Sequence, residues 1–127
     1  MRVVIVRHAE AAPGNPDELR PLTQEGRAQA RRLGDRLRAD GIVPDAVVSS
    51  PLLRARETAA AMGFGEPAVD DRLAPGALPE DVRAVALERG ETVVVIGHQP
   101  DCGRAVAVLA GRPEPAFPPC AHASVDL

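Results

Sequence analysis

Two of the chain's three histidines stand where a short apolar run ends: Arg7-His8 follows residues 2–6, and His98 follows residues 92–96. Arg54 lies one helical turn beyond a third such run, residues 46–49, which ends in Ser49-Ser50. A neutral imidazole nitrogen is a competent nucleophile near pH 7, and the planar arginine fork matches phosphoryl oxygens two at a time. Arg7, His8, Arg54 and His98 held together would form an anion site containing a nucleophile. Phosphoryl transfer needs that combination, because charge on three equatorial oxygens must be neutralised while the attacking atom is held in line. Arg20, in the loop before the first helical pattern, is a further phosphate-binding candidate. Ser50 reads as a helix N-cap and Thr58 as a packed helix residue.

These residues converge only if the elements carrying them end side by side. Residues 2–6, 46–49 and 92–96 are short, β-branched and almost continuously apolar, the pattern of strands buried on both faces. Thr23 suits the N-cap of a helix reaching about Asp40, with Ala30, Leu33 and Leu37 on one face and Gly41 past its end. Ser50-Pro51 predicts the cap and first residue of a second helix ending near Met62. A brief strand is expected at 68–70, a helix from Pro79 to about Arg89, and another through Val106 and Leu109 to Gly111. The alternation Ala121, Ala123, Val125, Leu127 predicts a half-buried edge strand. Strands alternating with helices imply a three-layer αβα sandwich around a mainly parallel central sheet with right-handed crossovers. In such sheets the ligand site lies beyond the carboxyl ends of the strands. A length of 127 residues is expected to form one domain, residues 1–127.

Composition removes several function classes. All 15 cationic side chains are arginine, which excludes a Walker-type phosphate lysine, a Schiff-base lysine and pyridoxal chemistry. With no Trp or Tyr, base stacking would have only Phe64 and Phe117 to use, and the net charge of −3 offers nucleic acid no general attraction. No apolar run approaches the roughly 18 residues of a membrane span, and the apolar N-terminal stretch is too short for a signal peptide. Two cysteines, Cys102 and Cys120, read as reduced thiols. The expectation is a cytoplasmic, cofactor-free monomer that binds neither membrane nor nucleic acid.

Three segments taken together carry a family resemblance. Arg7-His8-Ala9 after an apolar strand, Ser50-Pro51-Leu52-Leu53-Arg54-Ala55-Arg56-Glu57-Thr58, and Gly97-His98-Gln99-Pro100 resemble the signature segments of the histidine phosphatase superfamily, the phosphoglycerate mutase-like proteins. The small size, Arg20-Pro21-Leu22-Thr23 before the first helix, and the ending from Phe117 to Leu127 resemble the SixA branch of phosphohistidine phosphatases, minimal in lacking a lid insertion. The resemblance implies that His8 attacks phosphorus and is transiently phosphorylated, that Arg7, Arg54 and His98 hold the phosphoryl oxygens, and that no metal takes part. A backbone carbonyl should hold the second nitrogen of His8, and His98 should act as a cation or a hydrogen-bond donor.

No general acid is evident. Some superfamily members carry Asp directly after the second histidine, where this chain has Gln99; others supply Glu from a longer insertion. Glu10, Asp17, Glu18 and Asp101 are the carboxylates near the motifs. An alkoxide leaving group gains about 10²–10⁴-fold from a positioned acid, whereas a protonated phosphohistidine expels neutral imidazole unaided. The missing acid and missing lid favour phosphohistidine on a partner protein as substrate. The alternative enzyme is a phosphomonoesterase for a small phosphorylated metabolite; a mutase would need an enclosed site. From other classes come a zinc module built from His98, Cys102, Cys120 and His122, and a silent phosphate sensor, against which stands the presence of all four central residues.

Overall fold

The computed structural model describes residues 1–127. Five strands, β1 (Arg2–Arg7), β2 (Ala46–Ser49), β3 (Ala68–Val69), β4 (Thr92–Gly97) and β5 (His122–Asp126), form one sheet in the order β3-β2-β4-β1-β5. The first four are parallel, and β5 runs antiparallel along β1. The mainly parallel sheet and the closing edge strand are those expected from the residue pattern.

Alternate residues of the central strands feed two cores. Val3, Ile5, Val48, Val93 and Val95 pack with Val82, Val85 and Ala86 of α3 (Pro79–Leu87) and with Ala105 and Val106 of α4 (Asp101–Ala110). Val4, Val6, Val47, Val94 and Ile96 pack with Ala30, Leu33 and Leu37 of α1 (Gln24–Ala39) and with Ala55 and Ala59 of α2 (Leu53–Ala61). Each such valine or isoleucine contributes roughly 1.5–3 kcal/mol by leaving water. The sheet is thus the middle of three layers, as the βα alternation requires.

Local signals explain most helix ends. The Thr23 hydroxyl accepts a bond from Gly26 N at 2.9 Å and starts α1, and Gly41, at φ 81°, receives the chain just past its end. A Cβ on Gly34 would collide with the Met62 carbonyl, so glycine there lets α1 lie directly on the end of α2. Arg38 Nη1 donates to that same carbonyl at 2.9 Å.

The second helix departs from expectation. It begins at Leu53, two residues later than Ser50-Pro51 predicts, and no side chain caps it. The reason is that the Ser50 hydroxyl has other work: it accepts a bond from Leu52 N at 3.2 Å and faces His98, turning residues 50–52 into a bend rather than a helical turn. Two short 3-10 turns, Asp17–Leu19 and Asp71–Leu73, also stand in connecting segments for which the residue pattern predicts no element. No helix is long and apolar enough to cross a membrane.

The register brings the three functional strand ends level. Arg7 pairs with Gly97 and Val6 with Ile96, while Ser49 pairs with Ile96 from the other side. Beyond the ladder, His8 N donates to Gly97 O and Ser50 N to Ile96 O, both at 3.0 Å. No segment folds over this carboxyl edge as a lid.

Candidate active site

His8 leaves β1 with its ring fixed at one nitrogen. Nδ1 lies 2.7 Å from the Ala9 carbonyl, which can only accept, so Nδ1 carries the proton and Nε2 keeps its lone pair. That carbonyl belongs to a residue itself held in place, since Ala9 N donates to Thr58 Oγ1 at 3.0 Å and the Thr58 hydroxyl donates to Arg54 O at 2.7 Å. Thr58 therefore ties the peptide that orients His8 to the helix that presents Arg54. Burial lowers the His8 pKa to about 4; the Ala9 bond opposes this, and the charges of Arg54, Arg7 and Arg20 reinforce it. At neutral pH the ring is uncharged and nucleophilic.

His98 is buried, and its ring centroid lies 5.3 Å from that of His8, tilted by 57°. Its Nε2 is 2.8 Å from Ser50 Oγ. Ser50 Oγ accepts from Leu52 N and keeps its own proton, which it can donate to Nε2; in that tautomer the hydrogen of neutral His98 sits on Nδ1. Burial, then the proximity of His8 and Arg54, lower the His98 pKa to about 3. Of the two roles expected, cation or donor, the free site thus supports the donor: the cation is disfavoured by desolvation and by the neighbouring positive charges.

The arginines complete the ring. Arg7 Nη1 donates to Phe117 O at 3.1 Å, a contact across 110 residues of sequence. Arg54, almost wholly buried, donates from Nη1 to Asp17 O at 3.0 Å and from Nη2 to Asp17 Oδ2 at 3.2 Å. Three buried side-chain nitrogen or oxygen atoms in the molecule have no hydrogen-bond partner: Arg7 Nε, Arg54 Nε and His98 Nδ1. All three are donors on the residues expected to hold a phosphoryl group. Unpaired buried donors cost roughly 1–3 kcal/mol each in a folded chain, and an anion with three oxygens would relieve that cost.

Arg20 reaches the same mouth, near enough for its charge to disfavour protonation of His8. Its own donors, however, are turned to Ala12 O at 2.9 Å through Nε and to Asp17 Oδ1 at 3.2 Å through Nη1.

Three of the four carboxylates near the motifs already hold a hydrogen-bond partner. Glu10 accepts from the Thr23 hydroxyl at the start of α1. Asp17 is held ionised below the usual carboxylate range, first by its bond from Arg20 and then by Arg54. Glu18 stands exposed on the 3-10 turn. Asp101 is buried in the first turn of α4, where Oδ2 accepts from Gly76 N at 2.8 Å and fastens the loop beside His98.

The zinc alternative finds no support in the placement of its residues. No group of three or more His, Cys, Asp or Glu side chains is arranged to hold a metal ion. Burial pushes the Cys102 thiol up to about 12 and the Cys120 thiol up to about 11, so both stay protonated.

Residues 3–77 match the family model described as the histidine phosphatase superfamily, branch 1. The chain belongs to that superfamily. Phosphohistidine phosphatase SixA of Escherichia coli K12 is 33% identical over 138 aligned positions, which cover 100% of this chain and 86% of that protein. An uncharacterised protein of Mycobacterium tuberculosis H37Rv is 38% identical over 111 residues, 83% of this chain and 70% of that protein. The solved structure of the protein histidine phosphatase SixA complexed with tungstate superposes with a TM-score of 0.89 at 33% identity, covering 100% of this chain and 88% of that one. The fold is accordingly the phosphoglycerate mutase-like αβα sandwich, and the chain is a phosphatase.

Four features of the site escaped the residue pattern: Ser50 as the partner of His98, Thr58 as the support of the Ala9 peptide, Asp17 as the counter-ion of Arg54, and the Phe117 carbonyl on Arg7. For the first two a signal existed. A hydroxyl residue next to a buried strand end, or one turn beyond an arginine, needs a partner in a dry interior, and the nearest polar groups were those of the site.

Proposed function

We propose that this chain removes phosphate from phosphohistidine on a partner protein, through a phosphohistidine intermediate on His8, with Arg7, Arg54 and His98 binding the transferring group and no metal required. The observation that carries the reading is the set of three unpartnered buried donors, Arg7 Nε, Arg54 Nε and His98 Nδ1, on two arginines whose charges act on His8 and on the histidine whose ring centroid lies 5.3 Å from its own. His8 Nε2 attacks phosphorus in line. The bond from phosphorus to the substrate nitrogen breaks, and the departing ring, protonated on its other nitrogen, leaves as neutral imidazole. Water then attacks the phosphorus on His8, releasing inorganic phosphate and restoring the neutral ring.

The choice of substrate rests on the carboxylates. A P–O ester needs a proton for its leaving oxygen, yet Asp17 is held ionised by Arg20 and Arg54, and Asp101 is fastened to Gly76 N. A P–N bond to a protonated imidazole needs none. The absence of a lid agrees, because an open site admits a residue standing on a protein surface. The relation to SixA, whose name specifies phosphohistidine, and to a structure holding tungstate supports the same reading. We also place the chain in the cytoplasm and take it as a monomer.

The test is phosphate release from a protein carrying labelled phosphohistidine, in the presence of chelator, beside an aryl phosphate ester. Release from the phosphoprotein should be the faster, be spared by chelator and vanish in His8→Ala. Turnover of the ester without the phosphoprotein would instead favour a phosphomonoesterase for a small metabolite.

A further inference from the structure

The cationic groups of the site are not equally free. Arg7 donates to a neutral carbonyl, Phe117 O, and meets no carboxylate. Arg54 and Arg20 share one: Asp17 Oδ2 lies 3.2 Å from Arg54 Nη2, and Oδ1 lies 3.2 Å from Arg20 Nη1. The backbone carbonyl of Asp17 takes Arg54 Nη1 as well, so the 3-10 turn Asp17–Leu19 grips both terminal nitrogens of the buried guanidinium. The Asp17 side chain is itself 60% exposed, against 8% for Arg54. A surface carboxylate thus reaches in from the rim onto the inner arginine and the outer one together.

We infer that Asp17 is a built-in counter-anion that competes with phosphate for Arg54 and Arg20, weakening the site for free phosphate and for small esters. This rests on the phosphatase reading of the site. A phosphoryl dianion that engages Arg54 must share its fork with a carboxylate and tolerate a like charge a few ångströms away. Inorganic phosphate has only the contacts of the phosphoryl group itself with which to offset that repulsion, whereas a phosphorylated residue on a protein brings contacts outside that group. The carboxylate therefore selects for substrates anchored elsewhere and speeds loss of the product; its own exposed side chain can turn to water when a phosphoryl group takes its place on Arg54.

Titration calorimetry with inorganic phosphate and, separately, with tungstate decides the matter, using the native chain, Asp17→Asn and Glu18→Gln. Asparagine keeps the shape of the turn and removes the charge; Glu18→Gln removes the same charge from the neighbouring exposed position. Asp17→Asn should bind inorganic phosphate at least about threefold tighter, the scale of a partly exposed ion pair, and Glu18→Gln should stay within about twofold of native. In turnover, the inhibition constant of product phosphate should fall in parallel for Asp17→Asn. Unchanged or weaker phosphate binding by Asp17→Asn would overturn the inference and make Asp17 a clamp that orients Arg54. Equal tightening by Glu18→Gln would overturn it too, by reducing the effect to the overall charge of the turn. If the native chain failed to act on a phosphohistidine protein, the substrate reading would fall while the phosphate-binding comparison still judged Asp17.

Discussion

At the scale of single residues, two hydrogen bonds set the protonation of the site before any substrate arrives. The Ala9 carbonyl puts the proton of His8 on Nδ1, and a Ser50 hydroxyl that donates to Nε2 leaves that of His98 on Nδ1 as well. One ring thereby offers a lone pair and the other a donor, although both are neutral histidines at strand ends. Burial lowers the two pKa values from 6.5 to about 4 and about 3. Nuclear magnetic resonance titration of the imidazoles should find His8 and His98 neutral from pH 7 down to pH 5; midpoints near 6.5 would contradict the described burial. The sign for stability follows: the unfolded chain takes up these protons first as pH falls, so the fold loses stability from about pH 6.5 toward pH 4. Arg7, His8 and His98 were legible as candidates because each sits at a strand end, and Arg54 because it falls in the first turn of the helix that follows one. Their protonation was not, since the neutral state of His98 arises from burial and from neighbours 40 to 90 positions away in the chain.

At the scale of elements, what matters is that β2, β4 and β1 are adjacent and end level. The continuous apolar runs made these strands legible, since a strand buried on both faces has little room for polar residues. The start of α2 was misread because Ser50-Pro51 has the local chemistry of a helix start, and a tertiary contact with His98 outweighed it. The turn Asp17–Leu19 escaped for a similar reason: its grip on Arg54 spans 37 positions and leaves no periodic trace. Packing of α1 on α2 depends on Gly34, where an added methyl would meet the Met62 carbonyl. Gly34→Ala should destabilise the fold by roughly 1–3 kcal/mol in urea unfolding, the usual cost of overpacking against a rigid neighbour. A change below about 0.5 kcal/mol, the scale of a neutral surface substitution, would mean that the helices separate readily.

At the scale of the molecule, a three-layer sandwich presents one open edge on which an arginine-histidine ring gathers, with two apolar cores of 14 buried residues each holding the sheet rigid behind it. The α/β class and the site's location followed from the alternation of elements, and the family from three short segments in order. The rim was invisible to that reading, because it is assembled from loops whose contacts are long-range. The central claim is that His8 carries the phosphoryl group between two chemical steps, and rapid quenching of the native chain with labelled phosphohistidine protein tests it most directly. Label should appear on the chain within one turnover, be stable to alkali and lost in acid as a phosphohistidine is, map to the peptide containing His8, and be absent from His8→Ala. Phosphate released with no labelled enzyme at any quench time, or from His8→Ala at the native rate, would contradict the account.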